Sequence, residues 1–202
     1  MTHLEPPSYQ RTALRRAVAC VAALNLAYFG VEFSVALTIG SVSLFADSID
    51  FLEDTAVNLL ILLALGWSLR WRSRMALVLA ALLLVPGLAT LVMAWQKFNS
   101  LVPPDAQALG LTGLGALTVN GLCAWLLARV RHSGGSLTKA AFLSARNDAV
   151  ANVAIIGAGF VTAATASGWP DLVVGLAIAA MNADAAREVW EAARAEQRQA
   201  RA

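Results

Sequence analysis

Residues 41–58 read SVSLFADSIDFLEDTAVN, and the apolar LLILLALGW that follows carries the run to Trp67. A run of that length suffices to cross a bilayer as a helix. Yet it holds Asp47, Asp50, Glu53 and Asp54. On a helix, Asp47, Asp50, Asp54 and Asn58 recur about one turn apart and make one polar stripe. A carboxylate at the centre of a membrane helix costs roughly 2.5–3.5 kcal/mol to insert, so several approach about 10 kcal/mol unless shielded. The stripe must therefore face other helices, water or a cation. A buried hydrogen-bonded network that only holds helices together is the plainer alternative. Oxygen groups one turn apart suit a divalent cation better than they suit each other.

Composition agrees with a membrane setting. The chain has 202 residues, 58% apolar and only 14% charged, where a soluble domain is about a quarter charged. Its mean hydropathy is +0.64. A net charge of +2 is too small to argue for nucleic acid. Cys20 and Cys123 sit inside apolar runs and read as packing residues, not a disulfide framework. His3 and His132 are isolated and read as solvated. The first apolar run, Ala17 to Ile39, is too long for a signal-peptide core and is interrupted by Glu32, so it reads as a retained helix.

Working outward, the sequence predicts an all-α membrane protein with spans near 14–38, 42–67, 75–96, 107–129, 140–165 and 170–189. Arg70, Arg72 and Arg74 separate spans two and three, Val102-Pro103-Pro104-Asp105 three and four, and Gly168-Trp169-Pro170-Asp171 five and six. Cations gather before span one (Arg11, Arg15, Arg16), between two and three, between four and five (Arg129, Arg131, Lys139), and after six (Arg187, Arg194, Arg198, Arg201), while the other loops hold only Lys97. That asymmetry predicts six transmembrane helices with both termini cytoplasmic. Trp67, Trp71, Trp95, Trp125, Trp169 and Trp190 fall near span ends, as interfacial anchors do. Residues 1–13 form an N-terminal segment, 14–189 the transmembrane domain, and 190–202 a short charged tail extending span six.

Span five repeats the theme of span two. Ser144, Asp148 and Asn152 are spaced by four and share a face, and Asp-x-x-x-Asn occurs at Asp54/Asn58 and again at Asp148/Asn152. Coincidence explains so short an echo. Asn25 and Glu32 in span one, and Asn120 in span four, read as helix-to-helix hydrogen-bonding groups. Asp47 reads as lining an exit path, Glu53 as a partner for Arg146, and Asn182 and Asp184 as capping or snorkelling groups.

The block NLAYFGVE from Asn25 to Glu32, followed by GSVSLFADSIDFLEDTAVN, resembles the first two helices of the cation diffusion facilitator family of metal efflux transporters. In that family an S-x-S-L-x-A-D segment leads into an H/D-x-x-x-D pair, which falls here on Asp50 and Asp54. The resemblance implies a facing pair on helix five, where Asp148 takes the acidic position and Ser144 replaces the usual His or Asp. It thus implies a metal site of Asp50, Asp54 and Asp148, completed by Ser144, Asn147 or water. Such an oxygen-only set leaves zinc, cadmium, cobalt, iron and manganese open as cargo, with no resident cofactor. The family usually carries a folded cytoplasmic domain after its sixth helix and a His-rich loop between helices four and five. Neither is expected here.

These readings point to a metal/proton antiporter of the cell membrane, multi-pass and bacterial inner membrane in kind, working by alternating access between divalent ions and protons. A homodimer is the family expectation. An intramembrane aspartyl protease is the enzyme alternative, but its Tyr-Asp and Gly-x-Gly-Asp motifs are absent around Asp50, Asp54 and Asp148. A transport-inactive metal-binding or accessory membrane protein is the remaining alternative.

Overall fold

The structure is a computed structural model that describes residues 8–64, 88–130 and 135–199, with side chains over 12–63, 88–130 and 141–184 and at 187. Every regular element among the described residues is helical: α1 (Ser8–Ile39), α2 (Val42–Ala64), α3 (88–99), α4 (Ala106–Ala128), α5 (Gly135–Thr165) and α6 (Trp169–Gln199). Helices satisfy every internal backbone group within the segment, which is what hydrocarbon surroundings demand. Within α1, α4 and α5, the windows Thr12–Ile39, Ala106–Ala128 and Ala141–Thr165 are long and apolar enough to cross a membrane.

The turn between α1 and α2 is built by local chemistry. Gly40 takes a positive φ of 64°, the left-handed conformation that ends helices at low cost when the residue is glycine. Ser41 N–H then reaches back to the Ala36 carbonyl at 3.0 Å, the Schellman closure of α1. Ser41 at once caps α2, its Oγ accepting from Leu44 N–H at 3.2 Å. The two helices are thus joined by Gly40 and Ser41 alone.

The contacts fix the alternation of directions. Asp171, in the first turn of α6, bonds the first turn of α2, so these helices start at the same end. Lys97, near the close of α3, donates to Gly40 O at 2.7 Å, which brings the ends of α1 and α3 there too. A side chain on Gly159 of α5 would strike the backbone of Gly110 at 3.2 Å, so α4 and α5 run antiparallel with little between them. Asp105 caps α4, accepting from Ala108 N–H at 2.7 Å.

Two apolar clusters bracket a polar layer. One holds Leu14, Val18, Val21, Ile61, Cys123, Leu127 and Ala145; the other holds Ala36, Leu44, Phe45, Ile49, Leu109, Ile155 and Ile178. Between them lie Asn25 and Glu32 on α1, Asp54 and Asn58 on α2, Asn120 on α4 and Asn152 on α5, all buried. Outside, Leu91, Trp95, Val150, Phe160 and Val173 stay exposed, as lipid-facing residues should.

α1 begins at Ser8, ahead of the expected span start at 14, and α6 runs on to Gln199, consistent with a charged tail that extends span six. Long charged helix ends need not stop where the apolar stretch does, because their backbone bonds are internal anyway. The Arg70–Arg74 cluster and His132 lie outside the described residues.

Candidate metal centre

Asp54 sits at the middle of α2, 6% exposed, and two helices hold its carboxylate. Asn25 Nδ2 of α1 donates to Oδ2 at 3.3 Å, and Ser144 Oγ of α5 donates to Oδ1 at 3.0 Å. Cys123 Sγ of α4 in turn donates to Asn25 Oδ1 at 3.3 Å. The apolar faces of α2 and α5 bring these polar positions together, because a one-turn stripe on each helix has nowhere else to find partners.

Beside Asp54 opens a cavity of about 140 Å³. Its walls are Asp50, Glu53 and Asp54 of α2, Ser144, Asn147 and Asp148 of α5, and Met181 and Asn182 of α6. Liquid water takes about 30 Å³ per molecule, so the space holds a cation with part of its water shell. Four carboxyl groups line it, and no lining residue is cationic. In surroundings of low dielectric that concentration of negative charge favours a divalent cation over any neutral guest.

All five residues anticipated as ligands therefore border one space. Among the described residues, however, no three His, Cys, Asp or Glu side chains converge closely enough to hold a metal ion. The carboxylates are assembled around the cavity without being closed on a common point, and each oxygen of Asp54 accepts one hydrogen bond, from Asn25 or Ser144. Each keeps a lone pair free for a cation, and ligating carboxylates are commonly hydrogen-bonded in this way.

Other sequence expectations fare differently. Asn25 and Asn120 do bond other helices, Asn120 Nδ2 reaching Asn152 Oδ1 at 3.1 Å. For Glu32, neither carboxylate oxygen meets a hydrogen-bond donor among the described residues. Glu53 faces the cavity instead of pairing with Arg146, whose guanidinium leans on Asn147 Oδ1 at 3.5 Å. Asn182 is no cap; it lines the cavity, and its Nδ2 lies 3.5 Å from the Ala46 carbonyl. Asp47 is wholly buried and is not part of the cavity wall.

The residue that sequence reasoning missed is Asp171. It is fully buried, and its Oδ1 accepts from Ser41 Oγ at 2.6 Å, Ser43 Oγ at 2.6 Å and Ser43 N–H at 3.1 Å. Oδ2 accepts from Val42 N–H at 2.9 Å and lies 3.8 Å from Lys97 Nζ. Together with Ser41, Asp171 satisfies the orphan N–H groups of the first turn of α2. This cluster closes the bundle at the end away from the cavity, roughly 16 Å along α6 from Asn182 at 1.5 Å per residue. An aspartate in the first turn after a Trp-Pro break was its only signal, and local capping of α6 accounts for that equally well.

With this geometry in place, comparison with known proteins is decisive. The cation efflux transmembrane domain model matches residues 18–195, nearly the whole chain. The chain belongs to the cation efflux family. No curated protein matches it individually. Membership makes the chain a membrane protein of cation transport, a cation diffusion facilitator as the α1–α2 motif implied.

Proposed function

We propose that this cation efflux protein exports a divalent metal ion in exchange for protons, by alternating access around the cavity between α2, α5 and α6. The supporting observation is that cavity, lined by Asp50, Asp54 and Asp148 with Ser144 and Asn147 beside them, while Asp171 ties α6 to the start of α2 at the far end. Asp50, Asp54 and Asp148 serve as the charged ligands, with Ser144, Asn147 or water completing the shell. Ligation needs the carboxylates deprotonated, so protons compete for the same oxygens and a proton gradient can drive release. The chain crosses the membrane six times with both ends on the cytoplasmic side of a bacterial inner membrane, and works as a pair of chains.

An oxygen-dominated wall gives little discrimination among zinc, cadmium, cobalt, iron and manganese. The test is flux in proteoliposomes carrying a pH gradient, measured for each of these ions. Uptake that depends on the gradient and on Asp54 supports exchange. Saturable binding with no flux of any ion would replace it with the accessory, transport-inactive reading.

A further inference from the structure

Glu32 and Asp47 stand apart from the cavity, and the transport scheme so far gives them nothing to do. Glu32 is 0% exposed, and neither carboxylate oxygen meets a donor. Asp47 is also 0% exposed; Oδ2 accepts from Asn152 Nδ2 at 2.5 Å, while Oδ1 has no partner. Asn25 bonds Asp54, the Tyr28 ring meets Phe51 and Phe33 meets Phe45, so the antiparallel α1 and α2 bring Glu32 opposite Asp47. Two ionised carboxylates placed there have no hydrogen to share. Around them stand Tyr28 of α1, Asp50 and Asp54 of α2, and Asn152 of α5 with Asn120 of α4 behind it. None of these is a cation, and Lys97 is occupied with Gly40 O and Asp171 at the sealed end.

Two buried negative charges side by side, with no cation among the described groups around them and with orphan oxygens, form an arrangement that folding does not tolerate cheaply. One proton between them removes a charge and supplies the missing donor. A metal ion fits less well. Asn152 turns its amide N–H toward Asp47 because its oxygen is taken by Asn120, so the nearest dipole opposes a cation. We propose that Glu32 and Asp47 form a buried proton-binding site, a carboxylic acid hydrogen-bonded to a carboxylate, about one turn of α2 beyond the cation cavity. The pair stands on its own geometry. Its part in transport rests on the exchange reading above, where it holds a proton apart from the oxygens that bind cargo.

The test uses the full chain in lipid and infrared spectroscopy at neutral pH. Glu32→Gln and Asp47→Asn each keep the shape of the pair and replace the shared proton by an amide N–H. Each is expected to remove one carboxylic acid C=O band that shifts in D₂O. Spectra of both variants that superimpose on the parent in that region would overturn the proposal. Titration with Zn²⁺ provides a second measurement. A pair with one proton carries one negative charge, and the Glu32→Gln variant keeps that same charge on ionised Asp47. Its zinc affinity should therefore stay within about threefold of the parent, because the net charge beside the cavity is unchanged. A much larger loss would mean that both carboxyls were ionised. Two zinc ions per chain, one of them lost in Glu32→Gln, would make the pair a metal site; either result overturns the proton reading. A parent that binds no zinc sinks the cavity reading alone and leaves the infrared result to judge the pair.

Discussion

Replacing Asp171 by Ala tests whether the sealed end of the bundle is held by one carboxylate. The substitution removes the acceptor for Ser41 Oγ, Ser43 Oγ, Val42 N–H and Ser43 N–H, and leaves Lys97 with only the Gly40 carbonyl. Breaking a buried charged cluster by removing one partner costs about 3–5 kcal/mol, because the remaining groups stay buried without compensation. That is roughly two to four decades in the unfolding equilibrium at about 1.4 kcal/mol per decade. Asp171→Asn should cost less. Three of the four donors converge on Oδ1, which an amide oxygen can replace, so only the Val42 N–H bond and the Lys97 attraction are lost. One hydrogen bond to a charged group is worth about 1.5–3 kcal/mol. The assay is reversible unfolding in mixed micelles, followed by tryptophan fluorescence. Because the cluster is buried, the loss should barely depend on salt. A parent-like Asp171→Ala, within about 0.5 kcal/mol as for an ordinary surface change, would refute the account. So would equal losses for Ala and Asn.

Asp54→Asn and Asp148→Asn should each abolish proton-driven metal flux in proteoliposomes while leaving insertion intact, whereas Asp184→Asn, on an exposed residue, should be mild; parent-level flux in the first two would sink the exchange mechanism. Ser144→His adds a nitrogen ligand to the cavity wall and should shift preference toward zinc, read as relative uptake of zinc and manganese; an unchanged ratio would place Ser144 outside the coordination shell. Gly175→Ala would put a methyl group 2.7 Å from the Val42 carbonyl carbon, where α6 crosses α2. Overpacking of that kind should cost about 1–3 kcal/mol in the same unfolding assay, and a neutral result would mean the two helices are free to part.

Much of the helical plan was readable in the sequence because apolar runs and their breaks carry it. Pro103-Pro104 keeps the link between α3 and α4 from being helical, and Pro170 fits the first turn of α6, where its missing N–H costs nothing, for backbone reasons that need no partner. The cavity wall was legible to the same extent. Asp50 and Asp54 share a face of α2 by period alone, and Ser144 and Asp148 do so on α5. What each stripe meets was not legible. Period shows that Glu32 points inward, but not that it arrives beside Asp47 without a donor. Asn182 looked like a cap because its neighbours are polar, and only the crossing of α6 over α2 turns it to the cavity. Asp171 was beyond reach for a different reason: its partners lie about 130 residues away in the chain, and no local pattern encodes that meeting.

The two-residue joint between α1 and α2 also bears on how the chain is made. α2 carries four carboxylates, each costly to insert, whereas α1 holds a stretch long and apolar enough to cross a membrane. α1 emerges first from the ribosome, and α2 follows across Gly40 and Ser41 alone. Asn25 on α1 already carries the donor that Asp54 will need. The newborn hairpin can therefore partition as one unit, its acidic limb chaperoned by the limb that preceded it. Residues inserted after Gly40 would weaken that escort during synthesis, at a stage when no cavity has yet been assembled.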